Sequence, residues 1–281
     1  MLTKKIFKKS PFLGKKVIVC GGSKGIGKET SKLLVSLGAN ICIVAIQDFQ
    51  DVKQQLEELK IDKNQHIVTI NCDCTDLIKL KSLFQEYIDS SGIPDYLINV
   101  VGYSYPQYIE KLTLEDFQKC MTQNYYGQLI PTLILLPYFI KARKGHIACV
   151  SSMMGFLGMM GYAMYAPTKF ALVGLMESLR NELNPLGITC SVLYPPDTQT
   201  PGFNKENELK PEECKIISKR GRILDARTVA EVFVTGIIKK KFTILPGKAK
   251  SIWRVKRWFP KLIYKIIDSD LKKARKKLGK S

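Results

Sequence analysis

No run of 18 consecutive apolar residues occurs in this chain, so no stretch reads as a membrane-spanning helix. The opening "MLTKKIFKKSPFLGKK" lacks an apolar core long enough for a secretory leader. Histidine is nearly absent, with two residues, and the eight cysteines follow no framework spacing; "CDC" at 72–74 is their only close pair. No metal site and no disulfide scaffold is therefore expected, and reduced thiols in a cytosol-facing protein are the default. Acid is scarce at both ends. Residues 1–16 hold six Lys and no acid, and residues 248–281 hold thirteen Lys or Arg against two Asp. These ends carry most of the net charge of +19, leaving a nearly neutral body. The body's composition is ordinary for a globular fold, and 281 residues suit one large domain or two small ones.

What is present from residue 16 onward is an alternation of short β-rich runs and longer helical ones. "KVIVCGG", "NICIVAI", "HIVTINCD", "DYLINVVG", "GHIACVSS", "ITCSVLYP" and "KFTILPG" read as strands. Between them lie helical stretches such as "GKETSKLLVSLG", "LIKLKSLFQEYIDSSG", "MYAPTKFALVGLMESLRNELNPLG" and "DARTVAEVFVTGIIKK", and a long one over 113–143 that contains Pro131 and Pro137. Strands alternating with helices imply βαβ units, and strands apolar throughout imply a parallel sheet covered on both faces. The expected fold is α/β: one doubly wound domain over 14–247 with about seven parallel strands, a basic segment at 1–13, and a basic tail at 248–281. No internal repeat or low-complexity segment stands out.

The first strand runs into "CGGSKGIGKE". Gly21, Gly25 and Gly27, with Ser23, Lys24 and Ile26 between them, sit where a strand turns into a helix. There, backbone N–H groups can approach a pyrophosphate at a helix N-terminus. The spacing is G-x-x-x-G-x-G, and its placement after the first strand of a βαβ series is what gives it weight. Asp73, followed by Cys74, ends the third strand, where a carboxylate can accept from an adenine amino group. "NVVG", Asn99 to Gly102, ends the fourth with a small residue that lets a ring approach. Either feature serves equally as a cap or turn. Ile46 and Gln47 stand at the end of the second strand where an acid or base that reads the ribose is expected, and Asp48 follows. Lys24 is placed to meet a 2′-phosphate, which favours NADPH.

"MYAPTKFAL" puts Tyr165 and Lys169 four residues apart on one helix face, with Pro167 harmless in the first turn. A Tyr can act as general acid toward a carbonyl if a neighbouring ammonium draws its pKa down. Ser152 ends the preceding strand, where its hydroxyl can orient a carbonyl. Asn124, in the long helix, can hold a water that links Lys169 to solvent. A lone Tyr-x-x-x-Lys is usually an ordinary helix-surface pair; the whole set in this order on this topology is not.

These elements, over roughly residues 14–246, resemble the short-chain dehydrogenase/reductase family. The resemblance implies a Rossmann-type sheet and a Ser152–Tyr165–Lys169 centre supported by Asn124. It implies hydride transfer between nicotinamide and a carbonyl carbon, with Tyr165 protonating the oxygen while Lys169 binds the nicotinamide ribose. Departures are Cys20 where the family usually has Thr, "NVVG" for Asn-Asn-Ala-Gly, and Ile46 where NADPH users often have Arg. In this family the loop after the sixth strand lies over the nicotinamide, which places Pro195, Thr198 and Thr200 against the cofactor and makes Gly202 and Phe203 the start of a mobile substrate cover. "YPPDTQTPGF" with "ENELKPEECKIIS" is similar to that stretch in the 3-ketodihydrosphingosine reductases, a branch that reduces a long-chain amino ketone with NADPH at a cytosol-facing membrane, in eukaryotes the endoplasmic reticulum. Pro196 replaces the usual Gly, as in that branch. The resemblance also implies a homodimer or homotetramer built through the helices that hold Asn124 and Tyr165. Other readings stay open: reduction of another lipid, steroid or retinoid carbonyl, or a membrane-attached dinucleotide-binding protein without turnover.

The tail interleaves Trp253, Trp258, Phe259, Leu262, Ile263, Tyr264, Ile266 and Ile267 with cations. Rings at headgroup level and cations at phosphates suit an anionic membrane surface. The alternative is a helix packed on the body with a solvated basic face. Nucleic acid lacks any supporting motif.

Overall fold

Val17, Ile18, Val19 and Cys20 of the first strand have no exposed surface, which marks that strand as the centre of the molecule. The computed structural model describes residues 10–46, 49–219 and 221–280. The readings made at Gln47 and Asp48, and most of the basic segment at 1–13, lie outside those residues. In chain order the elements are β1 (Lys16–Cys20), α1 (Gly25–Ser36), β2 (Asn40–Ala45), α2 (Gln50–Glu57), β3 (Ile67–Asn71), α3 (Leu77–Ser91), β4 (Tyr96–Asn99), α4 (Leu114–Met121), α5 (Gly127–Ala142), β5 (Gly145–Val150), α6 (Tyr165–Leu183) and β6 (Ile188–Leu193). A two-residue strand β7 (Thr198–Gln199), α7 (Pro201–Leu209), α8 (Glu212–Ser218), a short β8 (Leu224–Asp225), α9 (Ala226–Ile238), β9 (Thr243–Ile244), α10 (Ala249–Trp258) and α11 (Pro260–Lys277) complete them.

Seven parallel strands form the sheet in the order β3-β2-β1-β4-β5-β6-β9. Successive side chains on a strand point to opposite faces, and the core splits accordingly. Ile18, Cys20, Leu97, Ile147 and Val192 pack with Phe84, Phe139 and Met176 of α3, α5 and α6. Val17, Val19, Ile98, Ala148 and Leu193 pack with Leu34 of α1 and Phe233 of α9. Each of these large side chains contributes about 1.5–3 kcal/mol by leaving water. Chain direction across the sheet reverses between β1 and β4, and a doubly wound sheet opens its ligand crevice at such a point, at the carboxyl ends of the strands.

Two stretches gain definition here. The stretch after β6 is helical: Thr200 caps α7 by accepting from Phe203 N, Pro201 fits the first helical position, and Phe203 is buried. The tail is two helices, and α11 packs against α8.

Candidate active site

Gly21 and Gly27 form the floor of the crevice. A side chain at Gly27 would place its Cβ 2.1 Å from the Gly21 carbonyl oxygen, and one at Gly21 would meet Val101 N at 3.0 Å. Only glycine permits this close passage of α1 over the end of β1. Lys24 occupies the N-cap of α1 with extended backbone and makes no capping bond, and the first turn carries no acid. The first N–H groups of α1, at the positive end of its dipole, are thereby left to an anion. Ser23 is half-buried, Lys24 is exposed, and Ile26 packs on the core. The Thr200 methyl stands 3.0 Å from where a Gly25 Cβ would be, so the start of α7 closes directly over this turn.

Further along, Asp73 accepts from Thr75 N and Thr75 Oγ1, both at 2.8 Å, and so fixes the turn after β3. Cys74 is buried in the same core cluster as Cys20. Asn99 is fully buried and donates to Gln128 O at 3.2 Å and Thr132 Oγ1 at 3.0 Å. The side chains of Cys74 and Asn99 thus help hold the layers together. Thr198 is buried and donates to Pro196 O, and Pro195 O accepts from Met153 N.

Ser152, Tyr165, Lys169 and Asn124 come together at the end of β5. Lys169 is 3% exposed and its ammonium donates to Val150 O at 3.1 Å, 5.5 Å from the centroid of the Tyr165 ring. The Ser152 hydroxyl accepts from Met154 N at 3.1 Å and lowers the pKa of the neighbouring Tyr165 phenol. The chain between α4 and α5 makes a π turn over Thr122–Tyr126, a local widening common at functional sites. It carries Asn124 inward, where Oδ1 accepts from Tyr103 N at 2.7 Å and Nδ2 donates to Tyr103 O at 2.9 Å. Gly102 fits beneath: a Cβ there would lie 2.7 Å from Asn124 Oδ1 and 3.1 Å from Lys169 Nζ.

Burial pushes the Tyr165 phenol up, the Glu206 carboxylate adds to that, and Ser152 opposes. Burial also lowers Lys169, to about 8.

Two groups escaped sequence reading. Gln128, fully buried, donates to Val101 O at 2.8 Å and Val150 O at 3.0 Å, tying the ends of β4 and β5 together; nothing local in the sequence marks it. Glu206 on α7 accepts from the Tyr162 hydroxyl at 2.7 Å and pairs with Lys210 at 3.1 Å. The four-residue spacing of Glu206 and Lys210 was the available signal. On the far side of the cover, buried Glu213 of α8 bonds the Tyr108 hydroxyl at 2.6 Å and Lys280 at 3.2 Å, fastening the tail to the cover.

A doubly wound sheet, a glycine floor and a Ser–Tyr–Lys cluster define the short-chain dehydrogenases, and this chain belongs to that family: residues 15–211 match it as short chain dehydrogenase. Among its relatives, the 3-dehydrosphinganine reductase of Danio rerio is 36% identical over 233 residues, covering 82% of this chain and 70% of that one. The 3-ketodihydrosphingosine reductase of Dictyostelium discoideum is 39% identical over 240 residues, covering 80% and 72%. The solved structure of levodione reductase shares the fold, with a TM-score of 0.77 at 22% identity over 85% of this chain and 98% of that one.

Proposed function

We propose that this protein reduces the ketone of 3-ketosphinganine to sphinganine with NADPH, a step of sphingolipid synthesis. The observation that carries the reading is the Ser152–Tyr165–Lys169 cluster beneath a helical cover, in a chain 34–39% identical to several vertebrate and amoebal reductases bearing that substrate's name. The cradle fits a dinucleotide: no side chain fits at Gly27 or Gly102, and α1 presents its uncapped N-terminus beside them. Gly21, Ser23, Gly25, Ile26 and Gly27 would hold the pyrophosphate, and Lys24 the 2′-phosphate. Asp73, Cys74 and Asn99 would flank the adenosine and ribose, with Pro195, Thr198 and Thr200 against the nicotinamide side. Bound there, the dinucleotide supplies hydride.

The chain's own groups handle the oxygen. Ser152 and Tyr165 donate to the ketone oxygen, and Tyr165 gives up its proton as negative charge builds. Lys169, held by Val150 O, stands beside the phenolate so formed and stabilises it. Asn124 holds the π turn against Tyr103 and opens the proton route toward solvent. Tyr165→Phe is expected to abolish NADPH oxidation by 3-ketosphinganine while dinucleotide still binds; retained turnover would refute the mechanism.

The setting we propose is a cytosol-facing membrane surface. Among the described residues no helix is long and apolar enough to cross a membrane, but α10 and α11 expose Trp258, Phe259, Leu262 and Tyr264 among their cations. Removing residues 249–281 should release the protein from anionic vesicles. Subunit pairing through α5 and α6 fits the exposure of Leu133, Ile140 and Phe170 there, and size-exclusion chromatography of Phe170→Asp, expected to elute as monomer, tests it.

A further inference from the structure

We infer that Glu206, on the cover helix α7, is the receptor for the substrate's ammonium group and selects 2-amino ketones over plain long-chain ketones. The inference rests on the reading of the substrate just given. In a 2-amino ketone the nitrogen sits on the carbon next to the carbonyl. With the ketone oxygen at the Tyr165 hydroxyl, the ammonium lies within one side chain's reach of that phenol. Glu206 is the acid placed there. Its Oε1 takes the Tyr162 hydroxyl at 2.7 Å, and the rings of Tyr162 and Tyr165 are 6.1 Å apart.

The carboxylate already has a cationic partner. Lys210, whose side chain has no exposed surface, meets the same Oε1 at 3.1 Å, bonds Asn207 Oδ1 at 2.8 Å and lies 4.4 Å from the centroid of the Phe203 ring. Burying the lysine end of such a pair costs desolvation, and the Glu206 side chain keeps 15% of its surface open. Tyr162 and Lys210 share Oε1, which directs a third donor to Oε2. Beyond Tyr162 a small cavity of about 30 Å³ between the cover and the tail is walled mainly by Met159, Met160, Ile217, Ile267 and Leu271, with Cys214 and Ser218. Glu206 also presses the Tyr165 pKa upward. An ammonium that neutralises it relieves that pressure, so the right substrate readies its own proton donor.

The test compares kcat/KM with NADPH for 3-ketosphinganine and for 1-hydroxyoctadecan-3-one, which lacks the amine. In the wild type the amino ketone is preferred. In Glu206→Gln the preference ratio is expected to fall by about 10- to 100-fold, the loss of one charge-assisted hydrogen bond. Because Gln leaves Lys210 unpaired, the double variant Glu206→Gln/Lys210→Met is measured as well, with folding followed by thermal melting and NADPH binding by fluorescence; the same fall is expected. An unchanged ratio in the double variant, or a wild type that prefers the ketone without the amine, overturns the role of Glu206 while leaving a lipid ketone reductase. A wild type that reduces neither compound refutes the substrate reading itself and this inference with it.

Discussion

Lys169 is 3% exposed, and burial lowers its pKa from the ordinary 10.5 to about 8. The fold therefore disfavours the ammonium it must carry. A displacement of that size corresponds to about 3 kcal/mol at neutral pH, where the lysine is charged in both the folded and unfolded chain. Lys169→Met fills nearly the same volume without the charge. It forfeits the bond to Val150 O, worth about 1 kcal/mol, so the net expectation is stabilisation by about 2 kcal/mol. For a chain of this size that raises the melting temperature by roughly 4–8 °C, while turnover is lost. The sign with pH is definite. A folded pKa below the unfolded one makes the penalty full below about pH 8 and relieves it as pH rises toward 10.5. The gain of Lys169→Met over wild type should thus shrink by about 1 kcal/mol between pH 7 and pH 9. The assay is paired urea unfolding of the ligand-free proteins at those two values; taking the difference cancels the buried thiols and phenols common to both. A variant less stable than wild type at pH 7, or a gap that does not move with pH, would refute the reasoning.

Other consequences can be measured alongside. Gly27→Ala sets a methyl 2.1 Å from the Gly21 carbonyl oxygen, so α1 must shift; a stability loss of about 1–3 kcal/mol and NADPH affinity at least about 10-fold weaker are expected by melting and fluorescence titration. His146 is buried, bonded through Nδ1 to Thr189, and lowered to about 4 by burial. Its folded pKa lies below the unfolded value, so stability falls as pH drops from about 6.5 toward 4, and His146→Phe should flatten that part of the pH–stability curve. Glu213→Ala strips Tyr108 and Lys280 of their common partner; faster amide exchange over 212–218 and a higher KM with little change in kcat are expected, and unchanged exchange would show that the tail does not hold the cover.

The sheet was legible because its strands are apolar without interruption and its helices begin and end at glycines and prolines, signals that act over a few residues. Tyr165 and Lys169 were legible for the same reason, lying one helical turn apart. The helical form of the stretch after β6 is hidden in the sequence because its polar residues look like loop until Thr200 is seen capping α7 and Phe203 is seen buried. Gln128 could not be found, since its partners lie far along the chain, Val101 just past β4 and Val150 at the end of β5.

Periodicity and spacing along the chain thus determined the fold class, the glycine floor and the Tyr165–Lys169 pair, because each depends on neighbours within one turn or one strand. The tertiary structure alone decided the rest. It fixed which way Asn99 and Cys74 face, how burial shifts Lys169 and Tyr165, that Glu206 meets Tyr162 from a helix some forty residues away, and that Lys280 reaches back to Glu213. Burial and long-range pairing are properties of the packed chain, and they arise from contacts between residues that no local pattern relates.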